Sequence, residues 1–524
     1  MRVQFELNGE HVDCAAAGTA RLSAVLREQC GARDVKVGCG AGDCGACTVL
    51  IDGEAYNACT VAAGQITGRQ VETAAGLHRA GDRLACELTA AFHAQGAVQC
   101  GMCFPGMLTS AIALKRKTPN PSMAHIQDAL GGVLCRCSGY RKLLNAVAST
   151  SDAVDSLADT TGAVGDSIPR IDGVERVIGE AQFGDDIAPR GTLVLKLLRS
   201  PHARAQFKFG DVKAWLKASA GIVDVITAAD VPGVNCFGVI PGFEDQPVFA
   251  QAETRYRGEA VAAVVGQADA MASFDLRDFP VTWTALNAVS ESTAAQRDGA
   301  PQLHAHAQSN VMCRGRVVRG DVTSAFEGAA HVITGRFRSG FVEHAYIEPE
   351  AGYATFEAGR VSVYGCTQAP VMDQEALAAI LGLDSAEVRI VPTQVGGGFG
   401  SKLDLSFQPY IARAAMRLGR AVRVCYTREE SMQSTTKRHP SDIGLRVAVD
   451  ADGKLCGFDF TGDFNTGAYA SWGPTVANRV PVHASGPYAI PNYRALSAGV
   501  YTHNPPAGAF RGFGVPQAAI AQEV

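Results

Sequence analysis

Eight cysteines near the start of the chain fall into two groups of four, and grouped thiolates are candidate metal ligands. The first group has the spacing C-x4-C-x2-C with a fourth cysteine twelve positions later, and the second has C-x2-C followed by C-x-C. The groups are Cys39, Cys44, Cys47 and Cys59, and Cys100, Cys103, Cys135 and Cys137. Four thiolates can hold an iron–sulfur cluster or a zinc ion, so each group predicts a metal centre.

The spacing of the first group is typical of plant-type [2Fe–2S] sites. Glycines alternate with its cysteines from Gly38 to Gly45. Glycine permits the positive φ angles with which a loop turns its amides toward anionic sulfurs. Structural zinc sites more often use two CxxC knuckles. The first group therefore predicts a [2Fe–2S] cluster.

The second group is interleaved with helical patterns rather than with glycines. The helical segments are 82–94, 107–117, 126–134 and 141–147. A C-x-C pair strains a tetrahedral zinc site, so a second iron–sulfur cluster is the favoured interpretation over zinc. Two clusters form a short electron-transfer chain, which needs a redox centre at one end. We expect the remaining residues to hold that centre.

Strand patterns surround the first group. Residues 3–7 and 10–14 alternate on either side of Asn8-Gly9, a strong hairpin signal. Residues 48–51 and 55–61 form a second predicted hairpin, which would place Cys59 on a strand.

Length and charge exclude several classes of protein. A chain of 524 residues is too long for one core and predicts about three or four domains. The net charge is −5, and the sequence has no basic stripe that would indicate nucleic-acid binding. No apolar run approaches the roughly 18 residues of a membrane span. The start of the chain resembles no signal segment, and the cysteines have metal-ligand spacing, so we expect a cytoplasmic protein.

The segment from Gln99 to Cys103, together with Cys135-Arg136-Cys137-Ser138-Gly139-Tyr140, resembles the second cluster domain of the molybdenum hydroxylases, the xanthine dehydrogenase and aldehyde oxidoreductase family. Both cluster motifs match residue by residue. The resemblance implies a multidomain α+β protein with two [2Fe–2S] clusters and a molybdenum–molybdopterin cofactor, for which a cytosine dinucleotide form is one option. The implied parts are a β-grasp plant-type ferredoxin domain (1–76), a four-helix-type [2Fe–2S] domain (77–150), a linker (151–164), an α/β hammerhead-like domain (165–300) and a first molybdopterin-binding domain of mixed α/β structure (301–524).

Shorter matches extend the resemblance over essentially the whole chain. They lie at 164–172, 199–203 and 256–262, in the order in which the family has them. In the family, the glutamine before the first helical-domain cysteine and the last cysteine also touch the pterin. The resemblance therefore assigns pterin contacts to Gln99 and Cys137.

A glycine loop runs from Gly396 to Lys402 after a strand-like segment at 388–391. Such a loop lets backbone amides approach an anion, and a nucleotide-phosphate loop is the alternative interpretation. The loop lacks the spaced GK[ST] ending, so an ATPase is disfavoured. The resemblance assigns cofactor binding to the residues Gly397, Gly398, Phe399 and Gly400.

Three more residues match family positions near the metal. Gln368 resembles the glutamine that hydrogen-bonds near the apical ligand, although a loop amide that caps a turn is the alternative. In Ala509-Phe510-Arg511-Gly512-Phe513-Gly514, Arg511 is implied as a donor to the cofactor. Phe513 matches a ring that flanks flat substrates, with an ordinary core residue as the alternative. For Glu348, a buried salt bridge and a catalytic carboxylate both remain open.

Substrate signals are mixed. Purine-oxidising relatives carry a glutamate directly after the loop lysine, where this chain has Leu403, which counts against xanthine. Arg479 is retained at a family arginine position and could bind a carboxylate, although a surface salt bridge is the alternative. We expect a nicotinate-like N-heteroaromatic substrate, with Gln368, Arg479 and Phe513 as catalytic-site residues. A simple aldehyde is the alternative substrate, and an iron–sulfur electron carrier without its own catalytic site is the alternative function.

The resemblance also implies partners. Family members carry a further region after the Arg511 loop that provides a general-base glutamate in a G-x-G-E motif, and this sequence contains no such motif there. We therefore expect either a shortened chain or a second molybdopterin-binding chain. No dinucleotide or haem motif is present, so the expected electron acceptor is an FAD subunit or another protein, in a hetero-oligomer.

Overall fold

A computed structural model describes residues 1–149, 162–166, 168–305 and 307–524. Most of the predicted linker lies outside the described residues. The chain is a multidomain α+β protein, as predicted. Within the described residues, no helix is long and apolar enough to cross a membrane.

The first part of the chain is a five-stranded sheet with the strand order β2-β1-β5-β3-β4. The elements are β1 (Arg2–Leu7), β2 (Glu10–Ala15), α1 (Leu22–Ala24), which continues as a π-helical turn (Val25–Gln29), β3 (Thr48–Ile51), β4 (Glu54–Asn57) and β5 (Gln70–Glu72). The hairpin at Asn8-Gly9 is confirmed, with φ of +52° and +86°. The strand prediction for Cys59 is wrong: β4 ends at Asn57, and Cys59 lies in the turn that follows. The chain leaves the sheet there, which turns the cysteine toward the glycine loop.

The second part is helical. Its elements are α2 (Ala74–Arg79), α3 (Arg83–Ala94), α4 (Phe104–Lys117), α5 (Met123–Gly131), α6 (Tyr140–Ala148) and, after the undescribed segment, α7 (Gly173–Ile178). Asp82 and Ser122 cap α3 and α5, because their side chains accept from backbone amides at the first helical turn. The helices share one apolar core that includes Phe92, Phe104 and Met107.

A seven-stranded mixed sheet forms the centre of the remaining chain. The elements between residues 193 and 295 are β6 (Leu193–Arg199), β7 (Ala205–Phe209), α8 (Val212–Ala218), β8 (Ile222–Thr227), β9 (Glu253–Thr254), β10 (Ala260–Gly266), α9 (Ala268–Ala272), β11 (Val281–Ala285) and α10 (Ser292–Ala295). Of these strands, β7, β9 and β11 form a separate three-stranded sheet. The elements of the following stretch are β12 (Val311–Arg319), α11 (Val322–Glu327), β13 (His331–Ser339), β14 (Ala351–Glu357), β15 (Arg360–Gly365), α12 (Pro370–Leu381), β16 (Val388–Pro392), α13 (Gln408–Leu418) and β17 (Val422–Cys425). The sheet order is β16-β15-β14-β17-β6-β10-β8, so strands from both sides of residue 300 share one sheet. A domain boundary at 300 stays a prediction.

A second, five-stranded sheet has the order β12-β20-β19-β18-β13. Its remaining elements are α14 (Arg428–Ser434), β18 (Ser441–Val449), β19 (Leu455–Gly467), α15 (Gly473–His483), β20 (Asn492–Tyr501) and α16 (Val515–Glu523). Helix α15 packs on β12 and β20. The loop between β20 and α16 carries the Arg511 motif.

Candidate functional site

The first cysteine group is brought together around the glycine loop. Cys44, Cys47 and Cys59 are buried, whereas Cys39 is partly exposed. The thiols of Cys44 and Cys59 contact the Cys39 sulfur, and Cys47 contacts Cys59. The amides of Ala41 and Cys44 also donate to Cys39 Sγ, at 3.3 and 3.4 Å. These hydrogen bonds lower the pKa of Cys39, so the loop favours a thiolate, the form that binds metals.

The second group lies at helix ends. The thiols of Cys103 and Cys137 contact Cys135 and lower its pKa to about 2, and Cys137 also contacts Cys100. The Cys135 amide donates to Tyr140 Oη at 2.6 Å. Within the described part of the chain, no three His, Cys, Asp or Glu side chains are grouped tightly enough to hold a single metal ion. The fit of both groups to a cluster therefore depends on these contacts between thiols and on the amides around them.

Gln99 lies beside the second group. Its Nε2 donates to the Cys137 carbonyl at 3.1 Å, and its side chain is otherwise exposed. Arg176 in α7 donates to the Cys100 carbonyl and to Gln394 Oε1. The two predicted pterin contacts, Gln99 and Cys137, are thus brought together.

Both cysteine loops contact later parts of the chain, around Phe183 and Ile347, in one apolar cluster. An added methyl carbon at Gly38 would lie 2.7 Å from the Ile347 carbonyl oxygen, so the first loop sits directly on Ile347. Arg428 joins the same two segments, donating to Gly38 O at 2.9 Å and to Ile347 O at 2.8 Å. The cluster contains Cys39, Cys44, Ala46, Cys100, Met102, Ala181, Phe183 and Ile347.

A second bridge connects the Cys135–Cys137 turn to the Arg511 motif. Arg136 donates from Nε to His344 O at 2.7 Å and from Nη2 to Glu343 O at 3.1 Å. His344 Nε2 lies 2.8 Å from Ala509 O, and its ring stacks on Phe510 with 4.0 Å between centroids. Burial lowers the pKa of His344 to about 3, so the imidazole is neutral and Nε2 carries the donated proton.

The opposite face of Phe510 is covered as well. The Arg438 guanidinium lies 3.9 Å from the Phe510 ring centroid and donates to the Arg511 carbonyl at 2.7 Å. The Arg511 amide in turn donates to Phe399 O at 2.8 Å. The second cysteine group and the glycine loop are therefore connected through packed and hydrogen-bonded residues.

The glycine loop requires its glycines. Gly397 and Gly400 have φ of +94° and +109°, and Phe399 is held at +54°. An added methyl carbon at Gly398 would lie 2.3 Å from Gln368 Oε1, and the Gly400 amide donates to the same oxygen at 3.0 Å. Gln368 thus packs on the loop, with its side chain at the surface, and a larger residue at Gly398 would clash with it.

A buried ion pair supports this loop from beneath. Lys402 Nζ donates to Glu348 Oε2 at 2.8 Å, and both side chains are at most 2% exposed. The amides of Gly396 and Gly184 donate to the same carboxylate, at 2.6 and 3.0 Å. The structure thus shows the salt-bridged alternative for Glu348.

Two of the three predicted substrate residues, Arg479 and Phe513, lie near each other, whereas Gln368 packs on the glycine loop. The Arg479 guanidinium lies 5.8 Å from the centroid of Phe513, whose φ is +49°. Trp472 meets the same ring edge to face, at 5.8 Å and 70°. Arg511 contributes its backbone to this loop, and its side chain is exposed. The sequence did not predict a role for Trp472, because an isolated aromatic residue is usually interpreted as part of the hydrophobic core.

Arg479 is exposed and lines an open, shallow depression of the surface. Its other lining residues are mostly apolar: Ile240, Phe243, Pro474, Thr475, Asn478, Val482 and His483. A guanidinium in such surroundings can orient an anionic group while the walls hold a flat ring. The arrangement suits a small aromatic anion.

A carboxylate lies next to the position where purine oxidisers carry theirs. Leu403 ends the 3₁₀ turn Ser401–Leu403 and is partly exposed. The following residue, Asp404, is 7% exposed and accepts from Ser471 Oγ at 2.7 Å. Burial raises the pKa of Asp404 to about 7. Sequence reasoning missed Asp404, since no motif marks it.

Four domain families match the chain in the order that the site suggests. A 2Fe–2S iron–sulfur cluster binding domain matches residues 5–91, and a [2Fe–2S] binding domain matches 73–148. An aldehyde oxidase and xanthine dehydrogenase a/b hammerhead domain matches 178–287. A molybdopterin cofactor-binding domain matches 303–524. Fold and site together define the class of molybdopterin proteins with fused iron–sulfur domains.

Individual relatives are similar over different parts. The chain is 34% identical to the nicotinate dehydrogenase large molybdopterin subunit of Eubacterium barkeri, over 68% of this chain and 82% of that protein. It is 36% identical to a probable xanthine dehydrogenase subunit of Bacillus subtilis, over 68% of this chain and 47% of that protein. The aldehyde oxidoreductase structure from Desulfovibrio gigas matches with a TM-score of 0.93 and 28% identity, over 100% of this chain and 60% of that one.

The chain therefore belongs to the molybdenum hydroxylase family, which includes the xanthine dehydrogenases and aldehyde oxidoreductases. Two [2Fe–2S] clusters and molybdopterin are the cofactors that this family implies. The chain spans about half the length of the Bacillus subtilis relative and 60% of the Desulfovibrio gigas enzyme.

Proposed function

We propose that this chain is part of a hydroxylase that inserts water-derived oxygen at an electron-poor carbon of a nicotinate-like N-heteroaromatic carboxylate. Arg479 carries the proposal, because its guanidinium lines an open and mostly apolar depression and lies 5.8 Å from the centroid of the Phe513 ring. Arginine pairs well with carboxylates, and aromatic rings stack on flat substrates. The similarity to the Eubacterium barkeri nicotinate dehydrogenase subunit supports the same substrate class.

The chain's own residues hold and orient the cofactor in this proposal. The amides of Gly397, Gly398 and Phe399 would face it, and the Gly400 amide fixes the Gln368 side chain beside them through its hydrogen bond to Oε1. Arg511 is free to donate from its exposed side chain. Bound molybdenum supplies an activated water oxygen and accepts two electrons, the metal acting as a Lewis acid.

The two cysteine groups serve as ligands of the [2Fe–2S] clusters. The Arg136 bridge connects the second group to the Arg511 loop, and this proposal places the second group next to the cofactor. Gln99 and Cys137 lie at that end and contact the pterin in this proposal. The first group is the one proposed to face the external acceptor. Electrons leave the active site in that order.

The assembly is proposed to be a cytoplasmic hetero-oligomer. It would include a polypeptide region that supplies the base-bearing remainder of the molybdenum site and an FAD subunit or another acceptor. The names of the relatives as subunits support this arrangement. The proposed pterin is the cytosine dinucleotide form, which nucleotide release and mass spectrometry would identify.

Aldehyde oxidation is the second candidate function. The whole chain, with both cysteine loops, superposes on the Desulfovibrio gigas aldehyde oxidoreductase at a TM-score of 0.93. Leu403 suits this candidate as well, since an aldehyde requires no carboxylate partner for ring nitrogens.

The test compares nicotinate and a small aldehyde as substrates of the complex purified from its own source. We expect hydroxylation of nicotinate with oxygen from labelled water, and loss of affinity for nicotinate in Arg479→Met. Efficient aldehyde oxidation without nicotinate turnover would favour the second candidate. Four irons and no molybdenum in the intact complex would leave only an electron carrier.

A further inference from the structure

A buried hydrogen bond joins the residue after the glycine-loop turn, Asp404, to the residue before Trp472. Asp404 accepts from Ser471 Oγ at 2.7 Å, and both residues are less than a tenth exposed. The other carboxylate oxygen of Asp404 has no hydrogen-bond partner among the described residues. Among the described residues, Ser471 is thus the hydrogen-bond partner of this side chain.

Ser471 needs such a restraint because its backbone is strained. Its φ is +44°, a left-handed conformation that non-glycine residues adopt rarely and that persists only where surrounding contacts impose it. Space is also tight, since an added methyl carbon at Gly508 would lie 2.5 Å from Ser471 Oγ. The Asp404 hydrogen bond therefore helps to fix where the next residue, Trp472, points.

Trp472 begins helix α15, which also carries Arg479. The indole meets Phe513 edge to face, and Arg479 approaches the same ring. Strain is present on the Phe513 side too, because Phe513 has a φ of +49°. One helix therefore positions both an aromatic wall and a guanidinium around Phe513.

The indole N–H of Trp472 is unusual. It is buried and has no hydrogen-bond partner among the described residues. Buried tryptophan N–H groups usually find an acceptor, and an unpaired one is costly unless a ligand supplies the missing atom. The rest of the Trp472 side chain is partly exposed, so a small rotation of the indole would present this donor to a flat ring with a nitrogen or carboxylate acceptor.

We infer that Trp472 is a substrate-contacting specificity residue that selects flat rings bearing an acceptor atom, and that the Asp404–Ser471 pair is the positioning element that holds it. The inference rests on the proposed function for its substrate class. Asp404 acts through Ser471 and does not itself touch substrate. The carboxylate that the chain lacks at Leu403 is in this way replaced by a neighbouring carboxylate with an indirect role.

The first test measures kcat and KM of the holoenzyme for nicotinate and for a small aliphatic aldehyde. Trp472→Phe keeps a ring and removes the N–H, so we expect KM for nicotinate to rise about tenfold, the typical effect of one lost hydrogen bond, with kcat within about twofold. Asp404→Ala should do the same, whereas Asp404→Asn, which keeps an acceptor for Ser471, should remain near the unaltered enzyme. The aldehyde should lose less than nicotinate does in Trp472→Phe and in Asp404→Ala. Unchanged nicotinate KM, or equal losses for both substrates, would overturn the inference.

A second test separates this inference from the proposed function. The chain has three tryptophans, so replacing Trp215 and Trp283 by phenylalanine leaves Trp472 as the only one. In that background, nicotinate and benzoate should quench the emission of the holoenzyme, and Asp404→Ala should weaken their binding about tenfold. Quenching without turnover would support the inference while the proposed reaction fails. No quenching by either ring would overturn the inference even if nicotinate is turned over.

Discussion

Replacing Lys402 by methionine should loosen the glycine loop, because it leaves the Glu348 carboxylate buried without its cation. Both side chains are at most 2% exposed, and Lys402 makes the only ion pair that Glu348 has among the described residues. Two backbone amides remain as partners, those of Gly396 and Gly184. They offset part of the cost but supply no positive charge.

Breaking a buried ion pair by removing one partner costs about 3–5 kcal/mol. The two remaining amides place this site toward the lower end of that range. At about 1.4 kcal/mol per tenfold, local opening of the loop should increase at least about a hundredfold. Removing both charges in Lys402→Met/Glu348→Gln should cost less than the single change, since no uncompensated charge remains.

Hydrogen exchange followed by mass spectrometry measures this effect directly. The peptides to follow contain Gly396 and Gly184, whose amides donate to Glu348. The matched control is Lys117→Met, which removes an exposed pair with Glu54 and should change exchange by less than about tenfold. Protection in Lys402→Met within tenfold of the unaltered protein, or a double variant as labile as the single one, would refute this reasoning.

Three further outcomes are expected. Gly398→Ala would place a methyl carbon 2.3 Å from Gln368 Oε1, so molybdenum content should fall below about a tenth, while Gly340→Ala, with open space around it, should retain the metal. Cys59→Ser should halve the iron per chain and remove one of two cluster signals in electron paramagnetic resonance. Burial raises the pKa of Glu259 to about 7, so its contribution to stability is present below its unfolded pKa near 4.5 and is lost as the pH rises through 7. Glu259→Gln should remove about 3 kcal/mol of that pH dependence in urea unfolding.

A specific result would contradict each of these three predictions. Full molybdenum in Gly398→Ala would mean that the glycine loop does not cradle the cofactor. Unchanged iron in Cys59→Ser would remove that residue from the ligand set. Identical pH profiles with and without Glu259 would show that its carboxyl titrates in the same way folded and unfolded.

The sequence predicted the motifs well where spacing encodes chemistry. The two cysteine groups, the Asn8-Gly9 hairpin and the helix after Asp82 depend on local patterns, and the fold and family predictions are confirmed. Cys59 was misplaced on a strand because apolar alternation continues past the last ladder residue, Asn57. Register and strand ends depend on pairing partners that a single segment does not reveal.

Contacts between residues far apart in the sequence could not be predicted from local patterns. Asp404 and Ser471 lie 67 residues apart in sequence, and nothing in either segment predicts their hydrogen bond. Trp472 likewise acquires significance only beside Phe513. Glu348 left two alternatives open until its burial with Lys402 was visible. The roles of the predicted cofactor and substrate residues stay predictions.

The apolar cluster at Ile347 gives the two cysteine loops a common insulating wall. Apolar surroundings control dielectric and solvent access, and through them reduction potential. Since Cys44 and Cys100 both pack in this cluster, a polar substitution at Ile347 would shift both potentials in one direction and leave their difference nearly unchanged. A change in the difference between the two potentials would need a substitution that touches only one cysteine group.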